Sequence, residues 1–219
     1  MVTRQSASES RDEILHAAAE LFMELGYAAT SLDAVAERLG STKGRIYHHY
    51  RSKADLFFDV QVTAMSRLHD QVAPIARGPG TPVERLAAMA LRHTQILLTE
   101  LPMQKVAVQG LERHLLGTEA AMRLRSVIRM RDDYEALFAE VIDQGIREGA
   151  LVDLPRHLAT KPFFGIMNWA TVWYSQRRLQ RTQAIKEIAQ TLAARAVRSL
   201  LKDLRHESAQ ATLLQHDLG

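Results

Sequence analysis

Residues 31–53 constrain this chain more than any other stretch. Leu32, Val35, Ala36 and Leu39 recur at three- and four-residue spacing, which puts them on one face of a short helix. Ser31 stands at the N-cap before that face, and Gly40 follows it, where a helix end needs a left-handed residue. A second short helix begins three residues on, with Thr42 at its N-cap. Two helices joined by a short Gly-containing turn form the helix-turn-helix pattern. In the second helix Ile46 and Tyr50 turn inward, and Lys43, Gly44, Tyr47 and His48 fall on the opposite arc at about 100° per residue. From Arg38 to Lys53 there are five Lys/Arg and no Asp/Glu. A face that offers only donors and cations suits a groove lined with phosphates and base acceptors. Gly44 costs about 1 kcal/mol of helix stability relative to Ala, yet it lets the backbone approach a ligand closely. Pattern alone leaves an αα-corner inside an ordinary helical protein as an equal explanation.

A wider set of residues separates the two. Gly26-Tyr27, Thr30-Ser31, Val35-Ala36, Gly40, Lys43-Gly44, Tyr47-His48-His49-Tyr50, Ser52-Lys53 and Leu56-Phe57 resemble the N-terminal signature of TetR-type transcriptional regulators over residues 9–58. The resemblance implies a homodimeric, ligand-responsive repressor of a double-stranded DNA operator. It implies that Lys43, Arg45, Tyr47 and His48 act in the major groove, with Thr42 and Gly44 at the start of the reading helix. Ser31, His49 and Lys53 are then the phosphate contacts.

The rest of the chain fits an all-α protein. With 47% hydrophobic residues, 11 Gly and 6 Pro in 219 residues, it can bury a large core and shows no strand-like alternation. It has no Cys, which excludes disulfides and thiolate metal sites and suits a reducing cytoplasm. No 18-residue apolar run and no leader pattern are present, so neither a membrane span nor a signal peptide is expected. The net charge of +3 does not argue for nucleic acid by itself. The charge distribution does: acids crowd into 9–37 and bases into 38–53, a local stripe rather than a basic domain.

Periodicity and caps predict about nine helices. After a polar, mobile segment at 1–8, in which Arg4 could reach a phosphate or minor groove, they run 10–25, the two short ones, 52–75, 81–98, 103–116, 118–148, 155–179 and 182–206. Asp55 at N3 of the fourth suggests a capping box with Ser52. The expected organisation is a DNA-binding domain over 1–57, a helical ligand-binding and dimerisation domain over 58–206, and an unassigned tail at 207–219.

Two C-terminal faces carry further expectations. Helices 158–174 and 185–204 are apolar on more than one side, and a helix apolar all round must be buried all round. A second copy of the chain would bury them, as in the four-helix dimer of TetR-type proteins; a larger monomer core is the other way. Met89, His93, Ile96, Met103, Met122, Met130, Tyr134, Phe138, Phe164 and Met167 lie on helices that should converge, and Met makes adaptable surfaces. Of these His93, Met130, Tyr134, Phe138, Phe164 and Met167, with Asn168, are the candidate effector-binding residues; plain core is the alternative for each. The run 164–174 is similar to one in TetR-type regulators whose effectors are acyl-CoA thioesters, although Ser175-Gln-Arg-Arg178 follows where those relatives often have Pro-Gly. That resemblance makes an acyl-CoA the leading effector, with a multidrug-sensing repressor of an efflux gene as the alternative. Arg123, Arg125, Arg129 and Arg131 could serve CoA phosphates, or form a solvated face with Asp132, Asp133 and Glu135. No phosphate loop, nucleophile elbow or metal-spaced cluster appears. No metal or cofactor is expected, and a helical enzyme stays a rival class whose evidence would be a buried acid/base pair in a cleft.

Overall fold

The apolar stripe of the first helix sets the frame for everything packed on it. In the computed structural model, which describes residues 2–109, 118–175 and 181–202, α1 (Val2–Ala29) buries Ile14, Leu15, Ala18, Leu21 and Phe22 against α2 (Leu32–Arg38) and α3 (Lys43–His49). α1 begins eight residues before its predicted start at Ser10. Val2–Glu9 contains neither Gly nor Pro, so nothing stops the helix propagating outward from its buried part. Gly26 was expected to end it and instead kinks it, at φ 78° and ψ 167°, before one last turn to Ala29. The buried Thr30 hydroxyl closes that kink by donating to the Gly26 carbonyl at 2.8 Å.

α4 (Lys53–Ala76) runs from the short helices into the rest of the chain. Its Leu56, Phe57, Val60 and Ala64 belong to the core under α1–α3, and its Met65, Leu68 and Val72 to a second core. That second core is built by α5 (Pro82–Thr99), α7 (Thr118–Arg147), α8 (Arg156–Asn168) and α10 (Arg181–Arg198). α6 (Leu101–Gln109) joins the two: its Met103, Val106 and Ala107 pack in the first core, although Met103 was expected in the second. α6 starts two residues earlier than predicted, because Pro102 sits in a first turn that needs no N–H from it. Its predicted end near Gly117 lies outside the described residues. Thr81 and Glu84 form a full capping box on α5.

The predicted helix 155–179 is interrupted. α8 ends at Asn168, Trp169 intervenes, and α9 (Ala170–Trp173) is a single turn. The Thr171 hydroxyl takes the Asn168 carbonyl at 2.8 Å, and the Val172 amide bonds Trp169 rather than Asn168. A side chain here competes with the helical ladder. The predicted helix to His206 ends at Arg198; Leu201 instead pairs antiparallel with Leu151, with Val152 N–H donating to Leu200 at 2.9 Å and Lys202 N–H to Ala150 at 3.2 Å. With α8 and α9 taken as one interrupted helix, the expected nine are present among the described residues. The tail 207–219 lies outside them. No helix among them is long and apolar enough to cross a membrane.

Candidate nucleic-acid interface and buried cavity

The two short helices are capped as their sequence demands. Ser31 accepts from the Ala34 amide at 3.1 Å, and Thr42 from the Arg45 amide at 3.4 Å. Gly40, at φ 57°, makes the turn between them, and Ser41 N–H bonds back to Ala36 at 2.9 Å. Ile46 and Tyr50 are buried, and Lys43, Gly44, Tyr47 and His48 are exposed. A Cβ on Gly44 would meet nothing within 4 Å, so this part of α3 offers bare backbone to a ligand.

The exposed arc is not free of acid. Asp33 of α2 holds Lys43 Nζ at 2.5 Å and accepts from the Tyr47 hydroxyl at 3.4 Å. The hydrogen bond and charge of Asp33 raise the Lys43 pKa. Asp33 therefore aligns both side chains.

Three predicted DNA contacts have structural partners. Arg45 turns back onto α1, donating to Glu13 at 2.5 Å and to Ser10 at 3.0 Å. His49 lies 3.5 Å from the Ser10 hydroxyl, and burial followed by the charges of His48, Arg45 and Arg11 lowers its pKa. Lys53 donates to the carbonyls of Tyr27 at 2.7 Å and Ala28 at 2.9 Å, 4.5 Å above the Tyr27 ring. It thus ties the end of α1, just past the Gly26 kink, to the start of α4. Two of its three donors are spent, and one is left for a phosphate. The predicted Ser52–Asp55 box is half-formed: Ser52 accepts from the Asp55 amide at 3.1 Å, and the Asp55 carboxylate pairs with Arg123 of α7. Arg51, exposed in the turn before α4, is a cation at the same end that helical-face reasoning passed over because it lies outside a helix.

Lys53→Ala is accordingly expected to lower stability by about 1–2 kcal/mol, as well as weakening DNA binding at every sequence alike. Thermal melts beside salt-dependent binding check this. Loss of affinity with an unchanged melting temperature would show that the Tyr27 and Ala28 contacts contribute nothing.

The reading helix is clamped from behind. The buried Tyr50 hydroxyl donates to Asp59 at 2.5 Å, and Asp59 takes both ends of the Arg11 fork, at 2.5 and 3.1 Å. Burial, with Asp59 beside it, pushes the Tyr50 phenol up. Arg38 ties α2 to Glu24 at 2.6 Å and to Glu20 at 3.3 Å. The rings of Phe22, Tyr27 and Phe57 interlock, with Phe57 edge-on to the other two at 5.0 and 4.9 Å.

A cavity of about 460 Å³ opens among α4, α5, α6, α7 and α8, within the usual size range of small-molecule sites. Of the candidate effector residues, His93, Tyr134, Phe164 and Asn168 line it. Phe138 and Met167 are fully buried in the core behind, and Met130 packs against that core from the side. Met122 is exposed, and Met89, Ile96 and Met103 are core. Met65, Leu68, Gln104, Ile128, Arg131 and Lys161 are wall residues that the candidate set omitted. Periodicity could have flagged Met65 and Leu68 only as one face of α4.

The polar wall is ordered. The Tyr134 hydroxyl donates to His93 Nδ1 at 2.9 Å, and His93 Nε2–H donates to Asn168 Oδ1 at 3.0 Å. Burial lowers the His93 pKa from 6.5 to about 4, so the ring is neutral and relays one orientation across the wall. Burial likewise raises the Tyr134 pKa. The Asn168 NH₂ has no protein partner among the described residues. Burial opposes the Glu135 charge, but hydrogen bonds from Lys161 at 2.5 Å and Thr160 at 2.6 Å leave its pKa lowered. No group of three His, Asp or Glu among the described residues could hold a metal ion.

A helix-turn-helix head on a long connecting helix, joined to a helical body with an effector-sized cavity, defines a DNA-binding regulator. Residues 14–60 match the family model of bacterial regulatory proteins, tetR family, and residues 79–200 match the tetracyclin repressor-like C-terminal domain. The chain belongs to the tetR family of bacterial regulatory proteins, which are transcription regulators and not enzymes. It is 33% identical over 99 residues to the HTH-type transcriptional regulator AcrR of Shigella flexneri, covering 45% of this chain and 46% of that one. It is 25% identical over 174 residues to the HTH-type transcriptional repressor KstR2 of Mycobacterium tuberculosis, covering 75% and 80%. The solved KstR2 structure superposes with a TM-score of 0.75 at 22% identity, over 88% of this chain and 95% of that one. The complex of AibR with isovaleryl coenzyme A and operator DNA superposes at 0.68 with 24% identity, over 85% and 97%. Both structural likenesses establish the shared fold.

Proposed function

We propose that this chain is a cytoplasmic, ligand-responsive repressor that binds a palindromic operator as a homodimer and is released by an apolar acyl effector carried as a CoA thioester. Residues 1–57 read the operator, and residues 58–206 hold the effector and the second copy. The observation that carries the reading is α3, which sets Lys43, Gly44, Tyr47 and His48 side by side on one exposed arc over a rigid clamp. These residues take the major groove. Ser31 and Thr42 flank them at helix N-termini, where phosphates are bound, and His49 offers its ring to a phosphate from the end of α3. Arg45 orients α3 through Glu13 and can reach DNA only by leaving it.

Dimerisation is supported by Leu158 of α8, Trp169 at the break, and Val172 and Trp173 of α9, which are half to two-thirds exposed, from 49% to 63%. Large apolar side chains left exposed on one stretch of chain are the residues that an interaction surface would cover. The acyl effector is supported by the cavity walls of Met65, Leu68, Ile128 and Phe164 and by the isovaleryl coenzyme A bound by AibR, a protein of the same fold.

Footprinting on the upstream region of the chain's own gene tests the DNA half. Two protected half-sites should appear with centres roughly 34–36 Å apart or at a multiple of that; one asymmetric half-site at saturation would refute the dimeric reading. Titrating acyl-CoAs, free acids and unrelated apolar drugs into the complex tests the effector half. A releasing ligand should weaken operator binding by about 5–150-fold. Release by drugs and not by CoA thioesters would replace this reading with the multidrug-sensing one.

A further inference from the structure

The cavity holds a cation that has no counter-charge among the described residues. Arg131 of α7 lines it and is largely withdrawn from water. Its one partner among the described residues is a neutral group, the main-chain carbonyl of Ala107 on α6. The neighbouring wall charges do not help it. Glu135 is taken by Lys161 and Thr160, and Asp132 makes no ion pair with it. Desolvation lowers the Arg131 pKa. A guanidinium in this position has four unused N–H donors in a planar fork, the geometry that takes an oxyanion by two parallel hydrogen bonds. Asn168 adds a second unused donor on the α8 wall. The two donors call for a ligand that brings acceptors, one of them charged.

We propose that Arg131 is the anion anchor of the effector cavity, so that the effector is an amphiphile with an apolar body over Phe164, Leu68 and Met65 and an oxyanion on the Arg131 fork. This rests on the cavity being the effector site proposed above, and names the chemical class it selects. The anchor also joins ligand to reading head. An oxyanion on the unused donors shares the guanidinium with the Ala107 carbonyl, and Ala107 packs in the same core as Ile46 of α3 and Leu15 of α1.

A matched pair of fluorescent probes tests the anchor: 8-anilinonaphthalene-1-sulfonate, and N-phenyl-1-naphthylamine, the same ring system without its sulfonate. A charge-assisted contact in a partly buried site predicts about tenfold or tighter binding of the sulfonate to the full-length wild type. Arg131→Met should remove that preference and leave the neutral probe within about twofold, and Arg131→Lys, which keeps the charge without the fork, should recover part of it. Equal affinities in the wild type would overturn the proposal, and this comparison needs no variant to fold. So would an Arg131→Met loss shared equally by both probes, which would make Arg131 a packing residue. Competitors then identify the oxyanion. Displacement of the sulfonate by octanoate assigns a carboxylate, and displacement by octanoyl-CoA alone assigns a CoA phosphate. Equal displacement by methyl octanoate and octanoate would also overturn the anchor. Operator binding by the same preparations separates the two failures: its absence strikes the regulator reading, and equal probe affinities with operator binding intact strike only the anchor.

Discussion

Phe138→Ala should destabilise the protein by about 3–5 kcal/mol, the range for removing a fully buried aromatic ring from a packed core. The side chain has no exposed surface, and its ring meets Phe164 at 4.8 Å, Tyr134 at 5.5 Å, Phe163 at 5.7 Å and His93 at 6.1 Å. Removing it empties the centre of an aromatic cluster to which both partners of the Tyr134–His93 hydrogen bond belong. At about 2–4 °C per kcal/mol for a chain of this size, the melting temperature should fall by roughly 6–20 °C. Thermal denaturation of wild type and variant decides the matter. A drop of under 1 kcal/mol, with a changed ligand response, would show that Phe138 faces the cavity as the sequence suggested.

That residue marks where sequence reading ran out. Tyr134 and Phe138 stand four apart on α7, and periodicity puts both on one inward face. Which of two inward residues touches a cavity and which lies behind it depends on the neighbouring helix. Here α5 and α8 fill the space around Phe138 and leave Tyr134 at the edge. Asn168 was different in kind. A polar group amid aromatics needs partners, so its importance was legible while its partner was not: His93 lies 75 residues away. Arg131 was visible as one of several arginines on α7. Only the fold shows that Arg123 meets Asp55 while Arg131 faces the cavity bonded to a main-chain carbonyl.

The caps and the turn of the short helices were legible almost to the residue, because their signals are local. Ser31, Thr42, Gly40 and Ser52 cap or turn the chain within three residues of themselves. Long side chains were not. Arg45 and Lys53 each have several rotatable bonds and reach partners 25 to 35 residues away. A helical wheel places their Cβ atoms, but not their charges. The end of α10 failed for a similar reason: the pairing of Leu201 with Leu151 is a long-range backbone choice with no local breaker to announce it.

His93 carries the second large effect, and it appears as pH dependence. Its pKa is lowered by burial from 6.5 to about 4 in the folded state. Below pH 6.5 the unfolded chain therefore binds a proton that the folded chain refuses, and stability falls with pH until about pH 4, where the folded ring is also protonated. Above 6.5 this group has no pH effect. The loss accumulated across that window is about 3 kcal/mol. Protonation would also give Nδ1 a hydrogen, so that it could no longer accept from Tyr134 and the wall would lose its order. His93→Gln keeps one acceptor for Tyr134 and one donor for Asn168 without a titrating ring. It should flatten the fall between pH 6.5 and 4 by up to about one proton's slope while changing stability at pH 7.5 far less. Urea unfolding at half-unit pH intervals measures this. Parallel acid limbs for wild type and His93→Gln would mean that the ring protonates freely in the folded protein, and that the Tyr134–His93–Asn168 relay does not order the cavity wall.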